Sequence, residues 1–200
     1  MKPTYALKHM NNLDLEGADL LDQFCFPWND RATPRTEFRA VWNEEIVRFR
    51  FEVEDDDMVL DSSRDRDQAV LGSDRVELFF ARDAGLIEPY FGLEIDPRGW
   101  VYAYEAHYYR KFDPGWSLPN LHVNGEFFPG GYAVEGFIPV EALREMGCWH
   151  ETGLHVGVYR AEFRHGPEGV EQDWISWVHP RTEKPDFHVP ASFGRFELGR

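Results

Sequence analysis

Clustered positive charge is missing from this chain. Lysine and arginine total 21 against 36 aspartates and glutamates, a formal net charge of −15, and no segment gathers the cations needed to displace counterions from a phosphate backbone. Nucleic acid is thereby excluded as a partner, and an anionic membrane surface with it; neutral polar ligands and cations remain. Long apolar runs are missing too. No stretch approaches the ~18 apolar residues of a membrane span, and the opening Met1-Lys2-Pro3-Thr4-Tyr5-Ala6 has no secretory apolar core, so the expectation is a soluble, cytoplasmic protein. Cysteine is scarce. Cys25 and Cys148 have no neighbouring Cys or His at metal-ligand spacing, which predicts free thiols in a reducing compartment. His155, His165, His179 and His188 are scattered without ligand spacing. The chain has no Gly-x-Ser-x-Gly elbow, phosphate loop or dinucleotide fingerprint, so no cofactor is required.

Helical periodicity is also rare. The only convincing helix is Val140 to Met146, with Pro139 before it and Gly147 after it. Period-two alternation fills most of the rest. Thr36 to Trp42 and Ile46 to Glu54 flank the polar turn Asn43-Glu44-Glu45 as a hairpin. Ser73 to Ala81, Tyr90 to Asp96, Trp100 to Tyr108, Leu121 to Phe127, Gly131 to Pro139, Leu154 to Phe163, Gln172 to Val178 and Phe193 to Leu198 read as further strands, punctuated by Gly/Pro turns. Met1 to Asp30 reads as irregular, with Trp28 closing one end of the fold, and Asp61 to Asp67 reads as an irregular polar segment. Many short strands and one short helix predict an all-β fold: an antiparallel two-sheet β-sandwich, jelly-roll or immunoglobulin-like, forming a single domain over residues 1–200.

The strands have two distinct faces. Val76, Leu78 and Phe80 alternate with Arg75, Glu77 and Phe79; Val47, Phe49, Phe51 and Val53 alternate with Arg48, Arg50, Glu52 and Glu54; Leu154 to Phe163 repeats the split with Arg160 and Glu162. One face is core material. The other, charged and studded with rings, suits a polar ligand such as a sugar, and equally a solvated charge network in which Arg160 partners a buried carboxylate. Of the pair Trp174 and Trp177, offset by three, Trp177 is assigned to the core and Trp174 to the surface. The run Asp55-Asp56-Asp57 reads as a solvated loop, or as oxygen donors for calcium.

Four segments together resemble a known family: Ser73-Asp74-Arg75-Val76-Glu77-Leu78-Phe79; Tyr90-Phe91-Gly92-Leu93-Glu94-Ile95-Asp96-Pro97-Arg98-Gly99; Gly131-Tyr132-Ala133-Val134-Glu135-Gly136-Phe137-Ile138-Pro139; and Trp174-Ile175-Ser176-Trp177 with Phe187-His188-Val189-Pro190 to Phe193-Gly194. Their order and spacing are similar to the family 9 carbohydrate-binding modules and their stand-alone relatives, over roughly Thr33 to Leu198. The resemblance implies a two-sheet sandwich that binds saccharide without catalysis, linked to carbohydrate catabolism. It also implies that a terminal sugar is held between two tryptophans, at positions occupied here by Leu71 and Phe187. Glu77 stands where the sugar-binding carboxylate would be, with Glu94 and Arg160 at the polar positions of neighbouring strands. Rings stack on sugar C–H faces and charged groups take the hydroxyls. The ligand set implied is therefore Glu77, Glu94, Arg160 and Phe187, with Trp174 or Trp116 supplying the second ring. Family members can carry structural calcium.

Two other readings follow from the same residues. The ring-rich stretch Tyr90 to Tyr109 suits a protein partner or a homo-oligomer interface, in a sandwich whose sugar site is lost with the Leu71-position tryptophan. Glu77 and Glu94 could also be the acid and base of a glycoside hydrolase.

Overall fold

The computed structural model describes residues 2–199. Twelve strands carry the fold: β1 Thr4–His9, β2 Thr36–Trp42, β3 Ile46–Glu54, β4 Arg75–Ala81, β5 Tyr90–Ile95, β6 Val101–His107, β7 Lys111–Asp113, β8 His122–Phe128, β9 Gly131–Pro139, β10 Leu154–Gly166, β11 Gly169–Ser176 and β12 Gly194–Leu198. Two short helices interrupt them, α1 Arg66–Leu71 and α2 Val140–Glu145.

The strands form one hydrogen-bonded path, β7-β6-β5-β4-β10-β12-β1-β2-β3-β9-β8, with β11 added on β10. The path curls on itself around β1. Thr4 to Leu7 pair with β12 and Lys8–His9 pair with β2, and both pairings are parallel. The expectation of an antiparallel sandwich is corrected here: the sheet is mixed. N-terminal residues read as irregular form the strand that joins its two halves. A six-residue alternation with polar ends carries little signal by itself, and β1 exists because two other strands offer it partners on either side.

The second helix is likewise a correction to the expected one. The side chain of Asp65 accepts the Gln68 backbone N–H at 3.1 Å, and Gly72 closes α1. An acid followed three residues later by Gln is a helix-start signature, hidden here among aspartates. At α2, Pro139 occupies the N-cap and Gly147 takes φ +72 just past the end, the left-handed conformation that favours glycine.

The alternation read from the sequence sorts the faces. Val76, Leu78 and Phe80 of β4, Phe91, Leu93 and Ile95 of β5, and Leu154, Val156 and Val158 of β10 meet Phe38, Phe49, Phe51, Val53 and Val134 of the other half. Each buried ring or branched side chain contributes about 1.5–3 kcal/mol. Trp177 is in this core, as expected, and Trp174 is only half-buried. Both cysteines are free thiols.

Candidate functional site

The opposite face of β4, β5, β6, β10 and β11 carries the polar residues in register. One row runs Tyr159–Glu77–Glu94–Tyr102 across four strands. On one side of it lies Trp174–Ala161–Arg75, and on the other Gly157–Phe79–Gly92–Tyr104. Cross-strand neighbours on one face lie about 4.5–5.5 Å apart at Cβ, so these rows set charge and rings side by side. Two glycines make room for the rings. A Cβ on Gly92 would lie 2.3 Å from the Tyr104 ring, and one on Gly157 would lie 2.1 Å from the Tyr159 hydroxyl. Both tyrosines therefore lean across their neighbours.

The C-terminal segment folds over one end of this face. Phe187 stacks on Tyr159 with centroids 4.1 Å apart and planes at 9°. Ser192 Oγ ties the turn by donating to the Phe187 carbonyl at 2.5 Å. Trp28 approaches Phe187 at 5.7 Å, and its Nε1–H donates to the Thr182 carbonyl at 2.9 Å. What stays open is a groove of about 490 Å³, within the ~300–1,000 Å³ of small-molecule sites. Its lining includes Glu77, Glu94, Trp174 and Phe187, together with Trp28, Leu71, Tyr102 and Tyr104.

Four of the six residues expected to meet a ligand thus converge, and two do not. Arg160 pairs across the sheet with Val76 and so points into the core side, where it is fully buried. Its Nη1 donates to Thr36 Oγ1 at 3.1 Å, its Nη2 donates to the Glu54 carbonyl at 2.9 Å, and it makes an ion pair with Glu162. Trp116 packs on Phe91 at 4.8 Å, a core-side ring, and does not line the groove. Trp28, read as an end plug, is a groove wall instead.

Arg160 is thus the partner of buried carboxylates that the sequence suggests, here Asp55 and Glu162, and the cation of the groove floor is Arg75. Its Nε lies 2.6 Å from Glu94 and 3.1 Å from Glu77, and Nη1 donates to the Leu71 carbonyl at 3.1 Å. Its guanidinium also sits 5.5 Å from the ring centres of Trp174 and Phe163. The side chains of all three charged residues are at most 8% exposed, so the shared ion pair is desolvated. Burial first, and then the neighbouring Glu94 carboxylate, push Glu77's pKa well above the ordinary carboxylate range, against the pull of Arg75. Tyr104 is fully buried beside the same pair, and burial first, then the Glu94 and Glu77 carboxylates, raise its phenol pKa well above the ordinary value.

His188 closes one end of the groove. Its Nδ1 meets Tyr90 Oη at 2.9 Å, and burial pulls its pKa down to about 3 from 6.5. The imidazole is therefore neutral at physiological pH. An unfolded chain takes up this proton below about pH 6.5 and the folded one refuses it until about pH 3, so stability contributed here is lost as pH falls through that window. Urea unfolding at pH 7 and pH 4.5 should show a smaller acid loss for His188→Asn than for wild type; equal losses would mean that His188 titrates as it does in the unfolded chain.

The aspartate run does not act as a unit. Asp56 is exposed, Asp57 Oδ1 meets His165 Nδ1 at 2.7 Å, and Asp55 turns inward. There Asp55 joins Asp74 and Glu162, with ligand oxygens all within 4.8 Å of one another. Asp74 accepts the Val59 and Phe163 backbone N–H groups, both at 2.6 Å, while Asp55 Oδ2 has no hydrogen-bond partner. Burial pushes the pKa of Asp74 up to about 8 and that of Glu162 up to about 7.

A family model described as carbohydrate family 9 binding domain-like matches residues 21–200. No curated protein matches the chain. Among solved structures, a candidate carbohydrate-binding protein from Bacteroides uniformis aligns with a TM-score of 0.70 at 16% identity, over 99% of this chain and 100% of that one. A carbohydrate-binding module of family 9 from Caldicellulosiruptor kristjanssonii aligns in its glucose complex with a TM-score of 0.59 at 14% identity, over 99% and 97% of the two chains. Its cellotriose complex aligns at 0.62 and 13%, over 99% and 95%. At such identities the likeness is one of fold.

Proposed function

Because the chain belongs to the carbohydrate family 9 binding domain-like family, we propose that its groove binds a saccharide and that the domain is non-catalytic. The observation that carries this reading is the desolvated Glu77–Arg75–Glu94 floor between aromatic walls in a groove of about 490 Å³. Ring faces cover sugar C–H surfaces, and carboxylates and guanidinium bond hydroxyls. Glu77 and Glu94 are the polar contacts, and Phe187, Trp174 and Trp28 supply ring surface. Phe187 already spends one face on Tyr159, so it offers a single platform. The geometry also speaks against a glycosidase. Glu77 and Glu94 are neighbours in one row of one sheet, held by one guanidinium, whereas acid and base in glycoside hydrolysis flank the bond from opposite sides.

Calorimetric titration with mono- and oligosaccharides tests the reading. Expected Kd values lie between micromolar and millimolar, ~4–8 kcal/mol, and Glu77→Gln should weaken binding at least about tenfold in a variant that still folds. Silence across the panel at millimolar sugar sinks the reading. The rival, a protein-binding face, is then favoured by the exposed Tyr108, Tyr109 and Phe112 at the β6–β7 tip.

A structural calcium belongs to the same proposal, at Asp55, Asp74 and Glu162. Three carboxyl groups share the one guanidinium of Arg160, and burial holds Asp74 and Glu162 towards their protonated forms; a divalent, oxygen-preferring cation would displace those protons and keep the oxygens ionised. The chemistry it would supply is neutralisation between the β3–α1 segment and β10. Melting in chelator and in 2 mM calcium chloride should differ by several degrees, lower in chelator; identical midpoints remove calcium from the account.

A further inference from the structure

The charges of the groove do not cancel. Its lining holds two guanidiniums, Arg75 and Arg110, against three carboxylates, Glu77, Glu94 and Asp186. At the mouth Arg110 pairs with Asp186 at 3.2 Å, which balances. At the floor Glu77 and Glu94 converge on the single Nε of Arg75, at 3.1 and 2.6 Å. The Nη1 of Arg75 donates elsewhere, to the carbonyls of Leu71 and Ser73. One carboxylate of the floor therefore has no cation of its own, and without a ligand burial and its neighbour hold Glu77 towards the protonated form; a cation drawn into the cleft by the field of a chain of formal charge −15 takes the place of that proton.

The walls suit a cation as well. Trp174 already carries the Arg75 guanidinium near its ring, at 5.5 Å, and the half-buried Tyr102 stands beside Glu94 in the same row. Ring faces stabilise ammonium groups more strongly when the site is desolvated. The Tyr104 ring, also in the lining, adds to this aromatic surface.

Resting on the saccharide-binding reading, we infer that the groove selects a sugar bearing a protonated primary amine, a hexosamine, whose ammonium sits on the Glu77–Glu94 pair beside Tyr102 and Tyr104. The ammonium supplies the second positive charge that the floor lacks. Acetylating the amine removes that charge and adds bulk, and a neutral hexose brings only hydroxyls. A uronic acid would set a third carboxylate against two.

Calorimetry of the intact chain at about pH 7, where a hexosamine is still largely protonated and the Glu77 proton is more readily displaced than at lower pH, tests this with glucose, N-acetylglucosamine, glucosamine and galactosamine. At least one of the two amines should bind about tenfold or more tighter than glucose and N-acetylglucosamine, and the advantage should shrink between 50 mM and 500 mM sodium chloride. Fully deacetylated chitosan trimer, run beside the monomers, tells a free sugar from a chain end: tighter trimer binding assigns the chain end, and tighter monomer binding assigns the free sugar. The Glu94→Gln variant should lower the ratio of amine to neutral affinity. Neutral sugars that bind as tightly as both amines overturn the inference and leave saccharide binding standing. A panel in which neither amines nor neutral sugars bind overturns both.

Discussion

Replacing Arg75 with methionine should cost about 3–5 kcal/mol of folding stability at pH 7.5, the usual consequence of stripping one partner from a buried ion pair. The methionine fills much of the volume, so the loss is electrostatic. Glu77 and Glu94 are 2% and 6% exposed, adjacent in one row, and would face each other with no cation. Glu77, whose pKa burial already raises, would lose the cation that pulls it back down. A carboxylate in that position favours the fold below its unfolded pKa, and that favour is lost as pH rises through the folded pKa. The gap between variant and wild type should therefore narrow towards pH 5 and widen towards pH 8. Urea unfolding followed by tryptophan fluorescence measures it. A loss below about 1 kcal/mol at pH 7.5 would mean that the three charges behave as a solvated surface set, and the desolvated floor of the groove would go with them.

The Arg160→Leu variant should lose a similar ~3–5 kcal/mol by a different route, and should leave any saccharide affinity as it was. Arg160 is fully buried and holds Thr36 Oγ1, the Glu54 carbonyl and Glu162 at once, with Asp55 at 3.8 Å. Without it, three carboxylates remain within 4.8 Å of one another, and the joint between β2, the end of β3 and β10 loses its polar contacts. The Arg160→Lys variant keeps the charge but not the fork that serves two directions together, so its loss should fall between wild type and leucine. Stability from urea unfolding and affinity from calorimetry separate the two arginines: Arg75 belongs to the groove and Arg160 to the core side. An Arg160→Leu protein that folds well but binds saccharide tenfold more weakly would reverse that assignment.

Much of the site was legible from alternation. Glu77 was readable on a polar face because a strand turns every second side chain the same way, and the family resemblance added Glu94. Trp174 was separable from Trp177 by the same parity. Parity also sets Arg160 apart from Glu77. Arg160 follows Leu154, Val156 and Val158 at intervals of two, so it shares their core face, whereas Glu77 lies on the face opposite Val76 and Leu78. Register agrees: Tyr159, not Arg160, stands opposite Glu77. What alternation cannot supply is the buried carboxylate partners that hold an arginine on a core face. Trp28 and Trp116 were exchanged for a related reason. Each lies on an irregular segment whose course is set by what it packs on, Phe187 in one case and Phe91 in the other.

By itself the sequence determined an all-β chain, most strand positions, the helix after Pro139, the core face and the carboxylates of the opposite face. All of these rest on neighbours two or four residues apart. Only the tertiary structure decided that the sheet is mixed, that residues Thr4–His9 join its two halves, that Arg75 is the partner of Glu77 and Glu94, and that Asp55 leaves its own run for Asp74 and Glu162. These depend on contacts between residues far apart in the chain. Such contacts are chosen by the joint burial of many side chains and by the pairing of every buried charge, and no short window of sequence contains that choice.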